Sequence, residues 1–543
     1  MKKLGWIFAV AVIAVLVAAV FVFDSFFVVL NLQLVRRDAA EVTITGEELP
    51  KEYWLKKLHS PQVLDVRQIP VTPEQYDELK ALFPNAQIRY SIALGEAGVD
   101  MDATELTLSA QQVQQLQSMM PCLPRLTKVT VDGAGADWSL LKGFMEQYPA
   151  VEFDFELTVA GVAVRSVDAV LDLGQAQVDT AELEQKLVCF PKLQRLLVAG
   201  CQDYAWLLKL REDRPELDIY YTLTVAGTEA DTHATELTLE NATIPMLEEA
   251  LPHLKSLETL RLEGQLPDDE EIYQLMEEYP QVAFLWDITV CGVAANTGDT
   301  TLILNNISLP NTDEVRQKVR YFHNLERVEM CQCGIPSSQM EQLTLEFPDI
   351  RFVWAIRMGW GWLRTDAAAF IPYHYGYNIK DPFSDAECRE LKYCIDIECM
   401  DLGHMRMYDI SFLRYMPKMK FLVLGDTWVQ DFSPLEGLTE LIYLEIFNTR
   451  FGDYSILLNM TKLEDLNIGF TPAPGTEELK QMTWLKRLWM PAVGFTRAQY
   501  DEVVAALPNT DVKMYIAHST AANWRDNDNY REMRDRLGMF YME

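Results

Sequence analysis

Basic residues are in short supply. Lysine and arginine number 47 against 80 aspartates and glutamates, so the chain of 543 residues carries a formal net charge of -33 at pH 7. A surface this acidic repels phosphate backbones and argues against nucleic acid as a partner; its plainest consequence is solubility. The 7 histidines share no repeat position. The 9 cysteines include no CxxC pair; Cys331 and Cys333 stand as CxC, and Cys388, Cys394 and Cys399 are loosely grouped with no histidine at zinc-finger spacing. Buried free thiols are expected, with a disulfide inside 388–399 as the alternative. There is no GxxxxGK phosphate loop, no HExxH and no GxSxG. No catalytic residue, cofactor or metal site is therefore expected. Low-complexity runs are missing as well, and 49% of the residues are hydrophobic, which predicts a folded chain.

One stretch lacks charge altogether. Leu4 to Phe23 is an unbroken run of 20 uncharged residues preceded by Lys2 and Lys3. As a helix at about 1.5 Å per residue it matches the roughly 30 Å of a bilayer core. A cleavable signal would have a shorter apolar region and a small-x-small cleavage site, and Asp24, Ser25 and a second apolar stretch, Phe26 to Leu30, follow instead. The reading is an uncleaved single-pass signal anchor. The flanking lysines put the amino terminus in the cytoplasm and the bulk of the chain outside it, at the cell surface.

What the sequence has in abundance is repetition. A long cassette ends its helix at Phe83-Pro84, Tyr148-Pro149, Arg214-Pro215, Tyr279-Pro280 and Phe347-Pro348. After each later proline comes strict alternation: Phe153, Phe155, Leu157, Val159; Ile219, Tyr221, Leu223, Val225; Phe284, Trp286, Ile288, Val290; Phe352, Trp354, Ile356, Met358. Period two predicts a strand with one buried face. Gly161, Gly227 and Gly292 follow at matching places, where a turn needs positive φ. Each cassette also holds an LxxLxL strand, such as Leu193/Leu196/Val198, and a shorter strand before it, such as Leu171–Leu173.

A second array is shorter and stricter. Leu422, Leu444, Leu466 and Leu488 stand 22 residues apart, and Leu424, Ile446, Ile468 and Met490 keep the same interval. Between them Asp409-Ile410-Ser411, Asp431-Phe432-Ser433 and Asp453-Tyr454-Ser455 recur at that period. Residues 419–490 resemble the short leucine-rich repeats of bacterial internalin-like proteins, on LxxLxL followed by the Asp-x-Ser-Pro-Leu return of Asp431, Ser433, Pro434 and Leu435. The asparagine usual in that class is replaced by Thr427, Thr449, Thr471 and Val493, a weaker ladder. The first array resembles leucine-rich repeats more loosely. The unit 71–85 returns at 495–509, with Gln75-Tyr76-Asp77-Glu78 matching Gln499-Tyr500-Asp501-Glu502, as a pair of caps would.

Apart from any resemblance, one repeat cannot bury its own apolar face, whereas stacked repeats can. The expected fold is an α/β leucine-rich-repeat solenoid of two consecutive arrays behind one N-terminal transmembrane helix. Its parts are the anchor at 1–35, a linker at 36–60, the long-cassette array at 61–358, an aromatic and glycine-rich segment at 359–395, the 22-residue array at 396–518, and a cap or tail at 519–543. Tyr530, Met533 and Leu537 have helical spacing in that tail, which also holds Phe540 and Tyr541.

The predicted function is recognition of another protein or surface macromolecule by a membrane-anchored, extracytoplasmic chain. A surface glycan hydrolase and a structural scaffold of an envelope complex are the alternatives. In an LxxLxL strand the leucines enter the core and the residues between them face the concave sheet. The candidate partner-binding residues are therefore Phe421, Tyr443, Glu445, Asp465, Asn467, Arg487 and Trp489, on strands about 4.8 Å apart. The hydrolase reading requires two carboxylates about 5–10 Å apart in a pocket near Trp360 or Tyr375.

Overall fold

A computed structural model describes residues 2–95, 97–378 and 382–539, so Phe540 and Tyr541 lie outside the described residues. The chain forms two compact units, Met1–Leu237 with Pro245–Leu257, and Thr238–Ile244 with Glu258–Glu543.

The first unit begins with the helix Lys2–Phe26, 25 residues long. Among the described residues no helix is long and apolar enough to cross a membrane, so the anchor stays an expectation of the sequence. Asp24 meets Arg37 at 2.9 Å and Lys57 at 2.8 Å, which ties the helix end to the first folded segment. The apolar stretch after it is an antiparallel hairpin, Phe27–Leu30 against Gln33–Arg36.

The long cassettes depart from a continuous parallel sheet. Each builds a short parallel sheet and then an antiparallel hairpin. In the first unit Val170–Asp172, Arg195–Leu197 and Asp218–Tyr220 pair in parallel, and Thr222–Val225 then turns back on Thr228–Asp231. In the second unit Thr301–Ile303, Arg327–Glu329 and Arg351–Val353 repeat the sheet, and Ala355–Met358 pairs with Gly361–Arg364. The alternation read as one strand is thus two strands of different sheets. They part at a buried aromatic: Phe155, Tyr221, Trp286 and Trp354.

A hydroxyl fills each break. The backbone N–H of Phe155 donates to Ser166 Oγ at 3.0 Å, that of Tyr221 to Thr232 Oγ1 at 3.3 Å, that of Trp286 to Thr297 Oγ1 at 2.9 Å, and that of Trp354 to Thr365 Oγ1 at 3.1 Å. The hydroxyls of Ser166, Thr232 and Thr297 donate in turn to the carbonyls of Phe153, Ile219 and Phe284. A buried N–H that loses its ladder partner must find another, and this side chain supplies it. Hairpin turns follow at Ala160-Gly161, Ala226-Gly227 and Cys291-Gly292, all with positive φ, as two-residue turns between twisted strands require.

The helices of the long cassettes are alike. Trp138–Gln147, Tyr204–Asp213, Asp269–Glu278 and Ser337–Glu346 each run 10 residues and stop before the proline that cannot continue them. The two matching units near the ends, Pro73–Leu82 and Arg497–Ala506, start with capping boxes on Thr72 and Thr496 and lead into strands Gln87–Leu94 and Asp511–Lys513.

The second unit also holds a seven-stranded parallel ladder: Ala369–Phe370, Cys399–Asp401, Phe421–Val423, Tyr443–Glu445, Asp465–Asn467, Arg487–Trp489 and Asp511–Lys513. Met400, Leu422, Leu444, Leu466 and Leu488 are in register and fully buried. Thr427, Thr449 and Thr471 donate to the carbonyls of Leu424, Ile446 and Ile468 at 2.7, 2.7 and 2.6 Å, so each threonine satisfies one carbonyl of its own turn.

The segment 359–395 contributes two strands, a short 3-10 turn at Pro372–Tyr375 and the helix Asp385–Leu391. Gly361–Arg364 is a hairpin arm and Ala369–Phe370 the first ladder strand. Its glycines are set by close approach: a Cβ on Gly359 would lie 2.2 Å from the Tyr375 carbonyl oxygen, and one on Gly376 2.8 Å from the Trp360 ring. Among the described residues no disulfide joins any of the nine cysteines, the group 388–399 included, and eight of the nine are buried.

Candidate functional site

Six of the seven ladder strands are three residues long, with the middle residue buried and the outer two on the concave face. Pairing in register turns them into two rows. One row reads Cys399, Phe421, Tyr443, Asp465, Arg487, Asp511, and the other Asp401, Val423, Glu445, Asn467, Trp489, Lys513. All seven residues singled out from the sequence therefore share one face.

That face is covered. Phe421, Tyr443, Glu445 and Asn467 have no exposure, Trp489 and Asp465 almost none, and the Arg487 side chain is 16% exposed. The cover is the chain's own carboxy-terminal segment. The segment expected as a cap or tail lies along the concave surface over its described residues 519–539.

The segment passes over the strands of Asn467 and Trp489 and then turns back towards that of Cys399. Asn467 Nδ2 donates to the Ser519 carbonyl at 2.9 Å, and Trp489 Nε1 to the Ala521 carbonyl at 2.9 Å. The Trp524 ring packs on Tyr443 and Trp489, with centroids at 5.4 and 5.1 Å. Asn527 then caps the helix Asp528–Arg536 by accepting the Tyr530 N–H. Tyr530, Met533 and Leu537, spaced along one helical face, bury themselves with Phe421, Tyr443 and Cys399. Burying side chains of this size contributes about 1.5–3 kcal/mol each before ordering costs.

The centre of the contact is electrostatic. Glu445, an acid with no exposure, accepts hydrogen bonds from Tyr443 Oη, from Trp524 Nε1 at 2.7 Å and from the Arg525 fork at 3.1 and 2.6 Å. A buried carboxylate needs such partners, and two of the three come from the segment. Around it Arg487 bridges Asp465 at 2.7 Å and the Trp524 carbonyl at 2.9 Å, with its guanidinium 4.5 Å from the Trp524 ring. Asn529 holds Asp465 at 2.7 Å and Glu464 at 3.0 Å, and Arg536 holds Glu398 at 2.7 Å beneath Phe421. The face is acidic and aromatic, and the side chains that a charge-balanced segment sets against it are Arg525, Arg536, Trp524 and Tyr530. Burial pushes the Tyr443 hydroxyl and the Tyr530 hydroxyl above their ordinary values, so both stay neutral, and that of Tyr443 donates to Glu445.

The pocket beside the aromatic segment brings together Tyr373, His374 and Tyr377, with Asp401 as its acidic residue. It does not present the pair of carboxylates that a glycosidase needs. Trp360 stands out of it, 83% exposed. Among the described residues no group of three or more His, Cys, Asp or Glu is placed to hold a metal ion. The sequence reading missed Cys399, Asp401 and the tail residues Trp524, Arg525 and Asn529. The 22-residue step back from Phe421 and Val423 would have found the first two.

No family model and no curated protein matches the sequence. Among solved structures the chain is similar to internalin C2 of Listeria monocytogenes, at 20% identity over 41% of this chain and 84% of that one, with a TM-score of 0.23. It is similar to an internalin F of the same organism at 12% identity, over 90% of both chains, with a TM-score of 0.21. A leucine-rich-repeat protein of Leptospira interrogans aligns at 12% identity over 88% of this chain and 96% of that one, with a TM-score of 0.25. Scores this low carry no weight for detail; the leucine-rich-repeat architecture rests on the chain's own parallel ladder and 22-residue period.

Proposed function

We propose that the chain is a membrane-anchored, extracytoplasmic recognition protein whose short-repeat concave face takes up a segment of another protein or surface macromolecule. Stacked repeats present extended concave surfaces suited to binding. The observation that carries the reading is the Trp524–Arg525 anchor on Glu445, Tyr443 and Trp489: the face already accommodates a peptide segment through a tryptophan–arginine pair. A partner segment of the same chemistry would displace the resident one. Glu445 would regain water or a new cation on release, so the exchange leaves no charge stranded. The uncharged run Leu4–Phe23 supports the anchor.

Two measurements test this. Fractionation should leave the full-length chain in membranes, and protease added to intact cells should trim it. A soluble form, or a chain protected from the protease, contradicts the location. Trp524→Ala with Arg525→Ala loosens the resident segment and should raise the yield of heteromeric cross-linked adducts on cells. Equal yields from both chains contradict recognition through this face.

A further inference from the structure

In the second unit a cavity of about 650 Å³ lies where the first ladder strands, the aromatic segment before them and the carboxy-terminal segment meet. That is within the roughly 300–1,000 Å³ of small-molecule sites. Ile371, Met405, Val423 and Met539 give it apolar walls, and Tyr373 and Tyr377 add aromatic ones.

Its acidic residue is Asp401. The residue lies deep among protein atoms yet keeps accessible surface, and the cavity is what exposes it. One oxygen accepts the Gly403 N–H at 2.9 Å. Among the described residues no cation is in ion-pair contact with it. The neighbouring charges are already engaged: Arg525 forks onto Glu445, and His404 Nδ1 meets Asp426 at 2.9 Å. Arg534 donates to the Met539 carbonyl, and His374 lines the rim. Burial and the Glu445 charge push the Asp401 carboxyl above its ordinary value. A carboxylate half satisfied by one N–H in an apolar cavity is costly, and a cation entering beside it removes that cost.

We propose that this cavity binds a small organic cation, a protonated primary amine on an aromatic or branched apolar body, with its ammonium on Asp401. The apolar and aromatic walls take the body, and the net charge of -33 enriches cations around the chain. Arg525 and Arg534 also line the cavity, but Arg525 is held by Glu445 and Arg534 by the Met539 carbonyl, so Asp401 is the charge to which a ligand is matched.

The test is titration calorimetry on the full-length chain in micelles at pH 7. The probes are 2-phenylethylamine, 2-phenylethanol and 3-phenylpropanoate. The amine should bind saturably at one site, with the alcohol and the acid weaker by about tenfold or more. Asp401→Asn should weaken the amine by a similar factor while circular dichroism stays unchanged. Should that variant fail to fold, Met405→Trp fills the cavity without altering a charge and should abolish binding. Absence of saturable amine binding, equal binding of the alcohol or acid, or full affinity in a folded Asp401→Asn or Met405→Trp chain would overturn the proposal.

Discussion

The indole Nε1 of Trp524 donates to Glu445 Oε1 at 2.7 Å across 79 positions of sequence. One buried carboxylate thereby joins a repeat strand to the carboxy-terminal segment, and the concave face is closed around it. Trp524→Ala should cost about 3–5 kcal/mol, as large aromatic truncations in cores do. Glu445→Ala should cost about as much, because it leaves the Arg525 fork without its carboxylate. The double variant should lose less than the sum by about 1–3 kcal/mol, the coupling expected of residues in one network. Denaturant unfolding followed by tryptophan fluorescence measures it; strict additivity rules out the shared network.

The hydroxyl at each strand break should have a uniform value. Thr297→Val keeps the shape and leaves the buried Trp286 N–H without its acceptor. The expected loss is about 1–3 kcal/mol. Thr232→Val and Ser166→Ala should behave alike at Tyr221 and Phe155. Thermal unfolding of the three variants checks this, and an unchanged melting temperature in all three removes the hydroxyl from the account.

Acid should weaken the second unit through one cluster. Glu329 and Asp366 sit between Arg327 and Arg364, whose hydrogen bonds hold both carboxyls down at about 2. Carboxyls lowered on folding add stability that is complete above their unfolded values near 4, and it is lost as pH falls through about 2. Urea titrations at several pH values should show the loss between about pH 4 and pH 2, and Arg364→Leu should flatten it. The same slope in both chains contradicts the cluster's role.

The thiols should be inert. Eight cysteines are buried, and burial raises the half-buried Cys291 to about 11, so little thiolate exists at pH 8. A thiol-reactive dye should label the native chain slowly, at Cys291 first, and all nine after denaturation. Rapid native labelling at Cys399 or Cys394 would show that the ladder opens readily.

The 22-residue strands and their concave residues were legible because stacking repeats forces identical spacing on the chain; Leu422, Leu444, Leu466 and Leu488 occupy one row for that reason. The long cassettes were legible in length and in their helix-ending prolines. Alternation through Tyr221 or Trp286 runs unbroken across a change of sheet, so period two alone cannot mark the break; the recurring hydroxyl 11 residues later can. The docking of Trp524, Arg525 and Asn529 onto Glu445 and Asp465 was hidden, since nothing local in a tail reports which distant face it meets. Asp401 escaped because its strand lies one period before the best-matched repeats.

The central claim is that the concave face around Tyr443 takes up a partner. The most direct test places the photoreactive residue p-benzoyl-phenylalanine at position 443 of the full-length chain in intact cells, with Trp524→Ala and Arg525→Ala to free the face. The account predicts an adduct to a second macromolecule that is absent when the same group stands at the convex, exposed position 415. Adducts confined to the chain's own residues 519–539, with the segment loosened and the cells intact, would contradict it.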